Sequence, residues 1–433
     1  MTSVPQWVSG RVLYQLHSLG AVGAPPTNPG VDGVEQSGHG LRVLLGWLDH
    51  VAELGCGGVL LTPIFVSSTH GYDTVDPLRI DQRLGDEGDF TEFVEACHQR
   101  DLKVVLDGVF NHVGRDFGPF RDVLTNGRDS RFVDWFRLDF DADDGDGFGY
   151  RCFEGHRELV VLNHRSAAVL EWASTVANHW LDRGADGWRF DAAYAMPTEF
   201  LAALSSRIRS SHPDAFVFGE VIHGDYAGFS RASGLGSVTQ YELHKAIWSS
   251  LNDANLFELA WALKRHPVVA GEFVPVTFAG NHDVTRLASQ LNDPRLLGPA
   301  LAVLFTVPGV PCVYYGDELG WRGVKEHRAG GDDAIRPALP ATPDASDETA
   351  RSALELHRSL IAFRTTRPWL TGAAIEVVEV RNQQISFKVS AGDDVLLTLL
   401  DLSGSDPSPP DGWQPVFVCP GVVICECVSD RSR

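Results

Sequence analysis

Three apolar runs in this chain end abruptly in a carboxylate: DGWRF meets Asp191, FVFG meets Glu220 and FAGNH meets Asp283. A strand that buries its sides and presents an acid at its tip must give that acid a partner, because an unpaired buried carboxylate is strongly destabilising. One such residue could cap the helix that follows. Three of them, with Arg189 two residues before Asp191 and His282 beside Asp283, exceed that need and describe an acid–base site.

The elements that must position these groups follow from periodicity. Eight β-rich runs occur: VLYQLH (12–17), GGVLLTPIF (57–65), LKVVLDGVF (102–110), ADGWRF (185–190), AFVFGE (215–220), SVTQYE (237–242), FVPVTFAG (273–280) and VPCVYYG (310–316). Amphipathic stretches lie between most of them, for example LRVLLGWLDHVAEL and RSAAVLEWASTVANHWLDR. Alternating β and α elements require a parallel sheet with crossover connections. Eight such units predict an α/β fold of the closed (β/α)₈ barrel type, with its site at the strands' C-terminal ends.

Two stretches fall outside that pattern. Residues 113–164 separate the third and fourth strands with clustered Gly, Asp, Phe and Trp, and are expected to form a subdomain over the barrel mouth. After ALELHRSLIAFRTT the chain breaks into short alternating strands with Gly, Asp and Pro turns. The expected organisation is therefore a barrel over 1–112 and 165–371, an insert over 113–164, and a small antiparallel C-terminal β-sandwich over 372–433.

Within a barrel the three acids acquire different settings. Arg189 and Asp191 share one side of their strand, and a neighbouring guanidinium is expected to keep Asp191 ionised, as a nucleophile must be. Glu220 sits in FVFGEVI, apolar surroundings that would raise a carboxyl pKa and suit a proton donor. Adjacent strands lie ~4.8 Å apart, which brings two such carboxyls near the ~5–5.5 Å of a retaining glycosidase.

Bulk properties narrow the class further. A net charge of −21 argues against nucleic acid and anionic membrane partners, which need a basic face. No phosphate loop or dinucleotide fingerprint is present. The first residues have neither a basic region nor an uninterrupted apolar run, so no signal peptide is expected. Seven cysteines, scattered through apolar context, are expected to be buried free thiols, consistent with a cytoplasmic location.

The ordered motifs resemble those of the α-amylase family of glycoside hydrolases, family 13, over almost the whole chain. DGVFNH (107–112), GWRFDAA (187–193), FGEV (218–221), FAGNHD (278–283), VPCVYYGDELG (310–320) and HGYDTVD (70–76) carry the resemblance. It implies Asp191 as nucleophile, Glu220 as acid/base and Asp283 as the group that grips the sugar hydroxyls. It also implies His112 and His282 on the same sugar, Tyr72 stacked beneath it, and Asp107 and Arg189 as buttresses. Asp73 and Arg336 would form an ion pair near the non-reducing end. In the loops around 113–164 and 317–340, Trp135, Phe136, Trp321 and Lys325 either line outer subsites or pack within their own loops.

Departures from the family pattern sharpen the expectation. Val161 in LVVLN (159–163) stands where a calcium-liganding or polar residue is common, although Asn111 is retained. No cofactor is expected, and a structural calcium lacks one partner. Ala193 and Tyr194 stand where starch-cleaving endo-amylases carry Lys-His. The resemblance therefore implies cytoplasmic hydrolysis of short linear or cyclic α-gluco-oligosaccharides, in the manner of cyclomaltodextrinases or cyclic maltosyl-maltose hydrolases. Dimerisation over the barrel mouth is common among relatives of this size, and a homodimer is one of the assemblies it leaves open. A transglycosylase or glucosyl isomerase using the same site is the alternative.

Overall fold

The computed structural model describes residues 4–28, 40–142, 145–266, 273–328 and 330–427. Eight parallel strands form one sheet: β1 (Leu13–Leu16), β2 (Gly58–Leu61), β3 (Lys103–Gly108), β4 (Gly187–Phe190), β5 (Phe216–Gly219), β6 (Ser237–Val238), β7 (Val276–Phe278) and β8 (Val310–Tyr314). Their order is β6-β5-β4-β3-β2-β1-β8-β7. A bridge from Thr239 to Val276 and the Gln240 N–H bond to the Val276 carbonyl (2.9 Å) join β6 to β7 and close the barrel.

Alternation along the strands sorts residues into two layers. Leu13, Leu60, Val105, Phe216, Phe218, Val276, Phe278, Val310 and Cys312 form one buried cluster filling the barrel interior. Continuing the same faces by two residues toward the C-terminal ends reaches Gln15, Asp107 and Glu220. Arg189 and Asp191 join them from β4. The lower interior is thus apolar and the upper layer polar, so burying the first desolvates the second. The opposite strand faces, including Tyr14, Val59, Leu106, Trp188 and Phe190, pack in the core beneath the helices.

The sixth run of the sequence is mostly not strand. Only Ser237–Val238 pair with β5, and Tyr241–Asn252 is helical. The helix is amphipathic and its apolar face, including Leu243, Ile247 and Leu251, is buried, so tertiary packing overrides the β-favouring Val-Thr-Gln-Tyr.

Between β3 and β4 lies the insert. A strand at His112–Gly114 pairs antiparallel with His156–Val161, which also pairs with Cys152–Phe153. The insert contains a helix, Gly118–Asn126, that its sequence did not announce. Phe120 on this helix packs against Phe136 and Tyr150 at 5.1 Å.

The C-terminal unit is one five-stranded antiparallel sheet, not the two-sheet sandwich expected from its strand count. Its strands are β9 (Ala374–Val380), β10 (Gln384–Ala391), β11 (Asp394–Asp401), β12 (Trp413–Cys419) and β13 (Val422–Cys427), ordered β9-β10-β11-β13-β12. Ile385, Phe387, Val389, Leu396, Leu400, Val422 and Ile424 join the main core. The barrel's helices therefore cover this face, so a second sheet is not needed to bury it. All seven cysteines are free; Cys56, Cys97, Cys312 and Cys425 are buried, whereas Cys427 is exposed. No helix among the described residues is long and apolar enough to cross a membrane.

Candidate active site

Register places the two central acids side by side. Phe190 pairs with Gly219, and the next residues of the two strands are Asp191 and Glu220. The Glu220 N–H donates to the Phe190 carbonyl (2.9 Å), and the Asp191 N–H donates to that of Gly108 (3.0 Å). One guanidinium serves three carboxyls: Arg189 Nη1 lies 2.5 Å from Asp107 Oδ2 and 3.3 Å from Asp191 Oδ1, and Nη2 lies 2.8 Å from Glu220 Oε1.

This sharing corrects the electrostatic division expected from sequence. Glu220 is not in an apolar setting: besides Arg189 it accepts the Ala192 N–H (3.0 Å) and the Tyr241 hydroxyl (2.9 Å). Asp191 is not held low by Arg189. Burial pushes its pKa well up and the neighbouring Glu220 adds to the rise, against the pull of Arg189. Burial likewise lifts Asp107 to about 6 despite Arg189. Burial thus favours the protonated forms of Asp107 and Asp191 in spite of the cation they share. Arg189 does not belong to its neighbour along the strand alone, because its side chain reaches acids on three strands.

Asp283 is the most open of the three strand-end acids, its side chain 33% exposed. His282 Nε2 lies 3.1 Å from its Oδ2, and Arg336 Nη2 lies 3.1 Å from its Oδ1. Gln15 sets the His282 tautomer. Its amide nitrogen approaches Nδ1 at 3.0 Å, which makes Nδ1 an acceptor and leaves the proton on Nε2. Burial drives the His282 pKa well down, so the ring is neutral. The Tyr72 ring is parallel to His282, with centroids 5.7 Å apart, and its hydroxyl bonds both His282 Nε2 (2.6 Å) and Asp107 Oδ2 (3.0 Å).

His112 is buried against Phe153 with ring centroids 4.6 Å apart. Its Nδ1 meets the Asn111 amide at 3.2 Å, whereas its Nε2 has no hydrogen-bond partner among the described residues. Burial lowers the ring's pKa to about 3. Nε2 is therefore a neutral, unpaired hydrogen-bonding atom of the kind a sugar hydroxyl satisfies.

Several expected residues are placed differently. Asp73 and Arg336 do not pair: Asp73 accepts from Thr69 Oγ1 (2.7 Å), whereas Arg336 engages Asp283 and Asp332 (2.9 Å). The tight turn from Thr69 to Asp73 folds that carboxylate back onto its own loop. Trp135 packs against Phe117, Phe132 and Trp172; Phe136 is buried on Phe120; Trp321 packs on Trp47 and Tyr315. Of the four outer-subsite candidates, Lys325 lines the groove. That groove has a volume of about 920 Å³ and is bordered by His17, Tyr72, Phe153, Asp283, Lys325 and Arg336.

Gln15, Tyr241 and Asn281 were missed as site residues. Gln15 is a lone polar residue in an apolar strand, a readable signal. Tyr241 and Asn281 become meaningful only when the barrel closes, because the Asn281 amide donates to the Tyr241 hydroxyl (2.9 Å) that in turn donates to Glu220.

Residues 40–387 match the family model described as alpha amylase, catalytic domain. The chain belongs to the α-amylase family. It is 31% identical over 380 residues to a cyclomaltodextrinase from a Bacillus species, covering 84% of this chain and 66% of that protein. It is 28% identical over 417 residues to an intracellular maltogenic amylase of Bacillus subtilis, covering 91% of this chain and 68% of that one. The chain thus spans slightly less than two thirds of the length of the first relative. Among solved structures, the cyclic α-maltosyl-(1→6)-maltose hydrolase of Arthrobacter globiformis, in complex with that sugar, superposes with a TM-score of 0.81 at 26% identity. That match covers 92% of each chain.

Proposed function

We propose that this α-amylase family member is a retaining glycoside hydrolase acting on short linear or cyclic α-gluco-oligosaccharides. The observation that carries the reading is the in-register placement of Asp191 and Glu220 on one guanidinium. Acids at adjacent strand tips on one guanidinium favour the short separation of a retaining enzyme over the wider gap that an inverting mechanism needs for water.

In the first half-reaction Asp191 attacks the anomeric carbon while the glycosidic C–O bond breaks, and the proton of Glu220 passes to the leaving oxygen. Water then adds to the anomeric carbon, returning its proton to Glu220 and releasing Asp191. A glycosidic oxygen beside Glu220 gives the transferred proton its acceptor. Asp283, gripped by His282 and Arg336, offers fixed acceptors to the sugar hydroxyls, and His112 Nε2 adds a further contact.

The relatives' names favour short and cyclic substrates, and one is named intracellular, which supports a cytoplasmic role. Homodimeric assembly belongs to the same reading. Asp191→Asn removes the nucleophile while conserving shape, and is expected to abolish turnover of linear and cyclic maltosyl sugars with the melting temperature retained. Near-wild-type turnover would sink the assignment. Product analysis with wild type at high substrate concentration separates hydrolysis from transfer, because longer glucosides accumulate if a sugar replaces water as acceptor.

A further inference from the structure

Beyond the Phe153–Glu154 turn from the groove lies a second cavity of about 500 Å³, lined by Asn111, Arg137, Arg151, Val161, His164 and Tyr194 among others. Asn111 and Val161 are the two positions on which a structural calcium turned. Their surroundings do not fit one. Calcium takes about six to eight oxygen ligands, and no group of three or more His, Cys, Asp or Glu among the described residues is placed to hold a metal. The acid on the lining, Glu154, accepts the Tyr194 hydroxyl at 2.7 Å.

The cavity is cationic instead. Arg137 and Arg151 are cross-strand neighbours: the Arg151 N–H donates to the Arg137 carbonyl (3.0 Å), one step beyond the Leu138–Tyr150 pair. Like charges directly opposite on paired strands destabilise the pairing. Neither arginine has a carboxylate within ion-pair distance among the described residues. Arg115 and Arg157 of the same insert do, sharing Asp146 at 2.8 and 2.9 Å. Burial, then repulsion from Arg151 and Arg165, lowers the Arg137 pKa. Burial together with Arg137 and Arg151 brings His164 down to about 4. Arg137 is half-buried and Arg151 exposed, so an anion entering the cavity from solvent would meet both charges.

We propose that this cavity binds a phosphate-class oxyanion between Arg137 and Arg151 and does not bind a divalent cation. Two planar guanidinium forks suit tetrahedral oxyanions better than they suit a monatomic ion. The oxyanion comes either from free phosphate or from a phosphate ester on a sugar, since Phe153 and Glu154 border both this cavity and the groove.

The test compares wild type with an Arg137→Gln/Arg151→Gln variant by thermal melting. Each is melted in sodium phosphate, in sodium chloride of matched ionic strength, and in calcium chloride with and without chelator. A saturable rise of the wild-type melting temperature in phosphate, absent in the variant, is the expected result. Calcium and chelator should leave both proteins unmoved. A phosphate shift equal in both proteins, no phosphate shift in wild type, or stabilisation by calcium that chelator reverses would each overturn the proposal. Glucose 6-phosphate then separates the sources. Competitive inhibition in wild type and not in the variant assigns the anion to a sugar, whereas phosphate stabilisation without an effect on KM assigns it to the free ion.

Discussion

Arg189 is the group whose removal reads the site most directly. It is buried and lies within 2.5–3.3 Å of three carboxyls. At ~3 Å and an effective dielectric of ~20 each pair is worth roughly 5 kcal/mol of gross attraction. Most of that offsets the desolvation of the guanidinium, so deleting one partner of such a buried network costs about 3–5 kcal/mol net. Arg189→Gln retains a hydrogen-bond donor and loses the charge. Asp107 and Asp191, already raised by burial, must then rise further. If ~3 kcal/mol is divided between them, each climbs by about one pKa unit, since one unit equals ~1.4 kcal/mol.

The nucleophile must be ionised, so the acid limb of kcat/KM, which reports the free enzyme, should move up by about one pH unit in the variant. A raised carboxyl pKa favours the folded state at low pH and loses that contribution as pH rises through the folded value. The stability deficit should therefore be largest above neutrality and shrink on acidification. The assays are a pH–rate profile on maltotriose and urea unfolding at several pH values. Arg189→Lys separates charge from fork geometry: its acid limb should stay in place while its rate falls. A folded Arg189→Gln variant with an unmoved acid limb and wild-type stability would refute this account of the site's charge.

Other expectations follow from single contacts. Gln15→Leu removes the group that fixes the His282 tautomer, and leaving that buried nitrogen unsatisfied costs ~1–3 kcal/mol. The melting temperature should fall by a few degrees and kcat/KM about 10- to 100-fold, and an unchanged rate would show that His282 is oriented otherwise. Gly187 lies where an added Cβ would fall 2.3 Å from the Phe216 carbonyl oxygen. Gly187→Ala must therefore part β4 from β5 and destabilise by at least ~1–3 kcal/mol; a neutral unfolding curve would contradict that close approach. On acidification, buried His112 (about 3), His164, His244 and His266 (each about 4) have folded pKa values below the unfolded one. Their contribution is present above ~6.5 and lost as pH falls through those values. Asp107 (about 6) and Asp317 (about 7) act oppositely, gaining stability on acidification. His282 is lowered as well and Asp191 raised, so five groups oppose three; the melting temperature should decline from about pH 6.5 to 4.5, and a rise over that interval would reverse the assignment.

How much was legible beforehand differs by residue. Seven of the eight strands and the acids at their tips could be read because a strand buried on both faces leaves a continuous apolar run, and any carboxylate that ends it stands out. The short sixth strand, with Tyr241 already helical, could not, since a two-residue strand has no period to detect. The helix at Gly118–Asn126 was hidden by Gly, Pro and aromatic residues whose local preferences oppose it.

By itself the sequence determined which chemical groups sit at the strand ends and that β and α elements must alternate, because both are written in local pattern. Only the tertiary structure decided how those groups divide their charges. Barrel closure brought Tyr241 and Asn281 to Glu220, gave Arg336 to Asp283 and Asp332 in place of Asp73, and made Arg189 common to three carboxyls. Electrostatic partnership depends on distance and burial, and both are set by residues far apart in the chain. Neighbours in sequence therefore placed the acids, and neighbours in space set their protonation.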